Sequence, residues 1–200
     1  MYPSPHYQEL DRKKLISVIQ NFPLGMLVTV YDNKPLITHI PFIYHTETKT
    51  LVAHIDKNNP QYNTLQEGTE ATVIFKGPDC YISPSIYESQ DQLPTWNYIA
   101  VHITGKIHLI NDAEIAKNSM IAMTKFLEGS EQRFVLQKDN PKMDRFVNYI
   151  QTFEIEITKW EGKFKLSQDK NKADQENTRS ALKAKTERSL SEFINSIYKN

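Results

Sequence analysis

Residues 93–110 read LPTWNYIAVHITGKIHLI. Ile99, Val101, Ile103, Ile107 and Leu109 fall on one side of an extended chain; Tyr98, His102, Thr104, Lys106 and His108 fall on the other. Alternation with period two over this length predicts a long strand. The first side is apolar enough for a core. The second mixes ring, imidazole and hydroxyl groups, which suits the wet face of an antiparallel sheet or a surface that meets a ligand or partner. At the strand entry, Thr95-Trp96-Asn97-Tyr98 sets an amide between two large rings. An amide there can read the edge of a ligand.

Working outward, the flanking segments keep the strand period. Asp11 caps a helix to about residue 21, with Leu15, Val18, Ile19 and Phe22 at helical spacing. Strands are expected over 26–31 and 35–44, joined by an Asp32-Asn33-Lys34 turn, and Pro41 marks an edge or a bulge. A strand over 50–55 follows. Asn59 then caps a short helix with Pro60 in its first position, closed by Gly68. A strand over 70–76, a Gly77-Pro78-Asp79 turn and a brief strand at Tyr81 and Ile82 precede the long one. About six short-linked strands by residue 110 close most simply as an antiparallel barrel.

After residue 110 the period changes. Asp112 caps a helix to about residue 128, and 141–150 predicts a second helix. Residues 152–158 return to strand, and 160–166 to a turn with a short extended piece. Residues 167–188 are polar, either a solvated helix or a loosely held segment. Leu190, Phe193, Ile194, Ile197 and Tyr198 form an apolar stripe, so a terminal helix is expected to dock on something. The class is α+β, mainly β, with peripheral helices.

Lys and Arg number 24 against 24 Asp and Glu, with a pI near 7. That balance excludes coating nucleic acid or anionic membrane by bulk charge. The single cysteine, Cys80, excludes an internal disulfide and is expected to be a small buried residue. With no apolar run of membrane length and no leader at Met1, a cytoplasmic protein is expected. The six glycines form neither a GxGxxG nor a Walker loop.

Two lysines follow strand ends, Lys57 and Lys165, and Asn58, Asn59, Thr95 and Asn97 supply neutral donors beside them. A phosphate needs about one or two cations and several donors, so this set can hold one without a glycine loop. Taken singly, either lysine is an ordinary surface residue. His39, His54 and His102 lie within strands but lack metal-ligand spacing, and a satisfied or interface histidine is the better reading of each. Ser83-Pro84-Ser85 is not a nucleophile turn. Trp96, Tyr98, Tyr81, Tyr87 and Trp160 are candidates to line a planar ring, although aromatic residues more often fill cores.

The segments PLITHIPF (35–42), LVAHIDKNNPQ (51–61), FKGPDCYISPSIY (75–87), LPTWNYIAVHITG (93–105) and FKLSQDK (164–170) together give the chain its resemblance to the PaiB family, the FMN-binding negative transcriptional regulators. The resemblance implies an antiparallel split β-barrel of the FMN-binding type, related to pyridoxamine-phosphate oxidases. It also implies a homodimer with FMN at the subunit interface. By the same resemblance, Thr38 and His39 face the cofactor, and His54, Lys57 and Asn59 lie around its phosphate and ribityl chain. Trp96 and Asn97 approach from the PTWNY strand, and Lys165 takes the place of a basic residue near flavin or substrate. Residues 1–170 would form the FMN-binding domain, and 171–200 a helical extension on the barrel or on the partner. Two positions depart from the family pattern: Ile86 stands where a tryptophan is expected, and Asp169 where an asparagine is.

Three functions follow as expectations. The first is a dimeric FMN-binding regulator. The second is a flavin-dependent oxidoreductase acting on a small substrate, for which no acid–base pair stands out. The third is direct DNA binding, for which no helix-turn-helix is evident and residues 161–200 offer only nine Lys and Arg against six Asp and Glu.

Overall fold

Asp11 accepts a hydrogen bond from Lys13 N at 2.9 Å and starts the first helix where its sequence places it. The computed structural model describes residue 1 and residues 4–89 and 91–187, the last two as backbone. The apolar stripe at 190–198 lies outside the described residues. In chain order the elements are β1 (Gln8–Glu9), α1 (Arg12–Asn21), β2 (Leu24–Tyr31), β3 (Lys34–Pro41), β4 (Ile43–His45), β5 (Thr50–Asp56), β6 (Glu70–Ile82), β7 (Thr95–Ile110), α2 (Ala113–Glu128), α3 (Met143–Phe146), β8 (Ile150–Lys165) and α4 (Lys172–Glu187). They fall into two compact units.

The larger unit comprises Leu10–Lys76 and Ala100–Gly162. Its strands run in the order β3-β2-β6-β7-β8-β5-β4, and the path ends at β4 without closing on itself among the described residues. This is a split barrel rather than a sealed one. β2 and β3 form an antiparallel hairpin, with Asp32 and Asn33 both in the left-handed region at the turn, as two-residue hairpins require. The core is apolar and aromatic. Phe42 meets Phe75 edge-on at 5.8 Å and Phe153 at 6.3 Å. Val101, Ile103 and Ile107, the apolar side of the long strand, are fully buried. Each such side chain contributes roughly 1.5–3 kcal/mol.

The smaller unit comprises Met1–Glu9, Gly77–Ile99 and Lys163–Asn200. Here α4 packs Ala181 and Leu182 against Cys80, Ile82, Tyr87 and Ile86. Buried Asp174 accepts from Glu88 N at 2.8 Å, and Asn177 Nδ2 donates to Ile86 O at 2.8 Å. The polar segment after residue 167 is therefore a helix fastened to the Pro84–Ile86 turn. Ile86 serves as packing surface for that helix.

Three segments differ from their sequence reading. The Gly77-Pro78-Asp79 turn is absent, and β6 runs straight through it. A Cβ on Gly77 would lie 3.0 Å from Ile99 Cβ, so this glycine permits close strand approach instead of reversal. The expected helix over 141–150 shrinks to α3, because Ile150 and Gln151 are taken into pairing with Asp56 and Ile55 of β5. The strand over 35–44 breaks at Phe42, whose N–H turns to Pro23 O at 2.9 Å as its ring enters the core.

His108 joins two strands and a loop. Its Nδ1 lies 2.6 Å from Glu67 Oε1 and its Nε2 3.2 Å from Glu156 Oε2, while Glu67 Oε2 accepts from Leu109 N. The hydrogen bonds to Glu67 and Glu156 raise the imidazole pKa. The bonds from Leu109 N and His108 lower that of Glu67. A raised histidine stabilises the fold fully below its unfolded value, and that gain disappears as pH rises through the folded value. A lowered glutamate loses its gain as pH falls through its own folded value. The His108→Gln variant is therefore expected to differ most from the parent in thermal midpoint between about pH 5 and 6, with the difference shrinking as pH rises above the ordinary imidazole value of about 6.5. A midpoint difference independent of pH over that range would contradict this ion-pair account.

Candidate functional site

Asp56-Lys57-Asn58-Asn59-Pro60-Gln61 leaves the end of β5 as a tightly bonded loop. Asp56 Oδ1 accepts from Asn58 N at 2.8 Å and from Asn58 Nδ2 at 3.0 Å. Asn59 Oδ1 accepts from Gln61 N at 2.9 Å, capping the short Pro60–Thr64 turn. Asn59 Nδ2 donates to Thr38 Oγ1 at 2.9 Å, which ties the loop to β3. Gln61, almost wholly buried, lies with Nε2 at 3.0 Å from each of Leu27 O, Thr29 Oγ1 and Leu36 O. The loop and the β2–β3 hairpin are thus one rigid piece presenting Thr38 and Asn59 together.

Lys57 is exposed, and its Nζ donates to Asn148 O at 3.1 Å. An ammonium has three N–H donors, so two remain for an anion. The small cavity that Lys57 lines, about 90 Å³, is below the roughly 300 Å³ at which ligand pockets begin. A ligand on this loop would lie over its surface. The first N–H of the Pro60–Thr64 turn, that of Gln61, already donates to Asn59 Oδ1.

His39 is exposed on the hairpin's outer face, paired in register with Met26. His54 turns elsewhere: its Nε2 lies 3.1 Å from Ser119 Oγ of α2. Burial holds it neutral, with its pKa pushed down to about 4. His54 therefore braces α2 against β5 and keeps no charge for a phosphate near neutral pH.

The remaining three candidates belong to the smaller unit. Trp96 is half exposed, its Nε1–H donating to Asp79 Oδ1 at 2.8 Å and its ring 6.3 Å from that of Tyr81. Asn97 is buried, and both ends of its amide meet Ser167 Oγ, at 3.0 and 3.3 Å. One N–H and the oxygen of its amide are thus engaged within the protein. Lys165 donates to Thr95 Oγ1 and lies over the Tyr7 ring. Asn97 and Lys165 line one cavity of about 590 Å³ with Tyr7, Asp91, Ser167 and Lys170. The structure thus brings Thr38 and Asn59 together, and Asn97 and Lys165 together. Lys57, His54 and Trp96 each have separate partners.

Two residues carry more of the geometry than the sequence suggested. Gln61 lies inside HIDKNNPQ but looks ordinary there. Ser167, with φ 63°, occupies the left-handed region at the cavity wall. The wet side of the long strand is also partly met within the chain: Lys163 Nζ lies 5.5 Å from the Tyr98 ring centre, and Thr104 Oγ1 lies 3.3 Å from Thr72 Oγ1.

Residues 1–159 match the family described as "Putative FMN-binding domain". The chain belongs to that family. Its cofactor is FMN, and the resemblance to PaiB holds as well. Over 177 residues it is 29% identical to "Protease synthase and sporulation protein PAI 2" of Bacillus subtilis (strain 168), covering 87% of this chain and 85% of that one. Among solved structures, an FAD and heme binding protein from Mycobacterium smegmatis superposes with TM-score 0.63 at 18% identity, over 88% of this chain and 80% of that one. The flavocytochrome Anf3 from Azotobacter vinelandii gives TM-score 0.62 at 14% identity, over 79% and 69%. These two likenesses are of fold, and a fold of this kind does not select among cofactors. The donors on β3 and on the loop after β5 suit the cofactor's anionic end: Lys57, which pairs with no carboxylate among the described residues, the Thr38 hydroxyl and the Asn59 amide. Among the described residues, no helix is long and apolar enough to cross a membrane.

Proposed function

We propose that the protein is a cytoplasmic PaiB-like regulator that works as a homodimer and holds FMN through Thr38, Lys57 and Asn59. The hydrogen-bonded Thr38–Asn59 pair carries this reading, because it holds two polar groups in fixed positions, two residues along the chain from Lys57, at little ordering cost. Bound FMN supplies electron-transfer chemistry through its isoalloxazine ring. The chain's part is to bind the phosphate, orient the ribityl hydroxyls and fix the ring's position.

The dimer rests on the outer face of the β2–β3 hairpin. Leu24, Val30 and Ile37 are 60%, 66% and 55% exposed there, on the same side as half-buried Met26 and Val28. A contiguous apolar face rimmed by polar residues marks an association site, and a two-fold contact would bury it twice. His39 lies within that face, on the side of β3 opposite Thr38. The regulatory part of this reading rests on the resemblance to the PaiB family carried by the motifs at 35–42, 51–61 and 93–105. The balanced charge favours regulation that does not pass through direct DNA contact.

Titration with FMN is expected to saturate and to shift the flavin absorption bands. The Lys57→Ala and Asn59→Ala variants should each weaken binding about 10-fold, the effect of losing a charge-assisted or well-placed hydrogen bond of about 1.4 kcal/mol. Unchanged affinity in both variants would remove the proposed site. Ile37→Glu should convert a sedimenting dimer to a monomer, and a parent protein that is monomeric at micromolar concentration would end the dimer reading.

A further inference from the structure

Four charged residues line the cavity of the smaller unit: Lys165, Lys170, Asp91 and Asp169. They do not neutralise one another evenly. Asp169 Oδ2 lies 3.5 Å from Lys170 Nζ, which also donates to Gln92 Oε1 at 2.9 Å. Asp169 further accepts from the Tyr7 hydroxyl; burial and that bond push the tyrosine pKa up to about 12, so it stays a phenol and a donor. Asp169 and Lys170 are therefore accounted for. Lys165 has only the Thr95 hydroxyl and the Tyr7 ring face, with no carboxylate among the described residues. The Asp91 carboxylate has no cation or donor among the described residues; only its backbone N–H is engaged, with Ser89 Oγ.

One cavity thus holds an uncompensated cation and an uncompensated carboxylate that do not pair with each other. Its charges sum to zero, so it has no excess potential for a simple anion. An anion on Lys165 would leave Asp91 opposing it, and an amine on Asp91 would leave Lys165 opposing it. A molecule carrying both groups satisfies both. The volume, about 590 Å³, is ample for a small molecule. The wall behind it is rigid, built of the buried Asn97–Ser167 pair with Ser167 held in a left-handed backbone conformation.

We propose that this cavity binds a small zwitterion, with its carboxylate on Lys165 and its ammonium on Asp91, as a ligand additional to FMN. The test is calorimetric titration of the full FMN-loaded chain with glycine, 4-aminobutyrate and 6-aminohexanoate, whose charge separations differ, and with hexanoate and hexylamine as single-charge controls. At least one zwitterion should saturate at millimolar or lower concentration and bind at least 10-fold tighter than either control. Lys165→Met should weaken that zwitterion at least 10-fold. Asp91→Asn, at an exposed position, should weaken it similarly while leaving hexanoate unchanged. The proposal is overturned by saturation with none of the zwitterions, by hexanoate binding as tightly as the zwitterions, or by displacement of the zwitterion one for one on adding FMN to the flavin-free chain. Repeating the titrations without FMN separates the two readings: zwitterion binding that persists in a chain unable to take FMN upholds this site alone.

Discussion

Gln61→Leu is expected to lower the unfolding free energy by about 2 kcal/mol and to weaken FMN binding in the same variant. The side chain is 2% exposed, and its Nε2 serves the Leu27 and Leu36 carbonyls and the Thr29 hydroxyl. Leucine has similar volume and fills the space, so little of the loss is cavity formation. What is lost is the donor. Two buried carbonyl oxygens within the paired hairpin would each lose this donor, at about 1 kcal/mol each, while Thr29 keeps Thr64 Oγ1 at 2.7 Å. Gln61 Oε1 has no donor among the described residues, and freeing that buried acceptor offsets part of the cost. The balance of these terms is the figure given. The functional consequence follows from geometry. Without Gln61 bridging β2 and β3, the loop bearing Lys57 and Asn59 is held to the hairpin by the Asn59–Thr38 bond and, through the turn that follows, by the Thr64–Thr29 bond. Urea unfolding and FMN fluorescence quenching measure the two effects separately. A variant as stable as the parent, within about 0.5 kcal/mol, would show that the amide network is not what holds the loop.

The contrast between Asn59 and Gln61 shows what the sequence made legible. Asn59 precedes Pro60, and an asparagine before a proline signals a cap by local chemistry alone. Gln61 acts through Leu27 and Leu36, 34 and 25 residues away, and nothing local announces that. Asn97 stood out for its place between two rings, yet its partner Ser167 is 70 residues distant, so its structural role was hidden. Trp160, a candidate for lining a planar ligand, instead takes Arg12 over its face at 4.7 Å and Tyr44 edge-on at 5.7 Å. Strand alternation was readable because burial imposes it residue by residue. The side chains at a site were less so, because each one's role is decided by whichever distant strand lies beside it.

Strand lengths failed for a related reason. Glycine and proline at 77–78 signal a turn in isolation, and so does the Trp160-Glu161-Gly162 run, which the structure absorbs into β8. Tertiary pairing overrides both signals. What glycine supplies in this sheet is the absence of a side chain, and Gly105 is the sharpest case.

Gly105→Ala is expected to cost about 3 kcal/mol or more, at the upper end of what overpacking does to a close-fitted interior. A Cβ there would lie 2.2 Å from the Glu156 carbonyl oxygen and 2.6 Å from Ile155 Cγ2. The first contact is with backbone, which cannot rotate away as a flexible side chain could. Relief requires β7 and β8 to separate along the stretch where Val101, Ile103, Ile107, Phe153 and Ile155 are fully buried. A small added volume is thereby converted into loss of core contact along two central strands. The matched control is Gly68→Ala, where φ is 74° and no atom lies within 4 Å of the added carbon. Its cost is backbone strain alone, about 1 kcal/mol. Thermal or urea unfolding of both variants should place Gly105→Ala well below Gly68→Ala, with Gly105→Val lower still or unable to fold. Equal losses for the two alanine variants would mean that β7 and β8 are not packed at this distance. The split-barrel core, which carries the proposed cofactor loop through β5 and β8, would then need a different register.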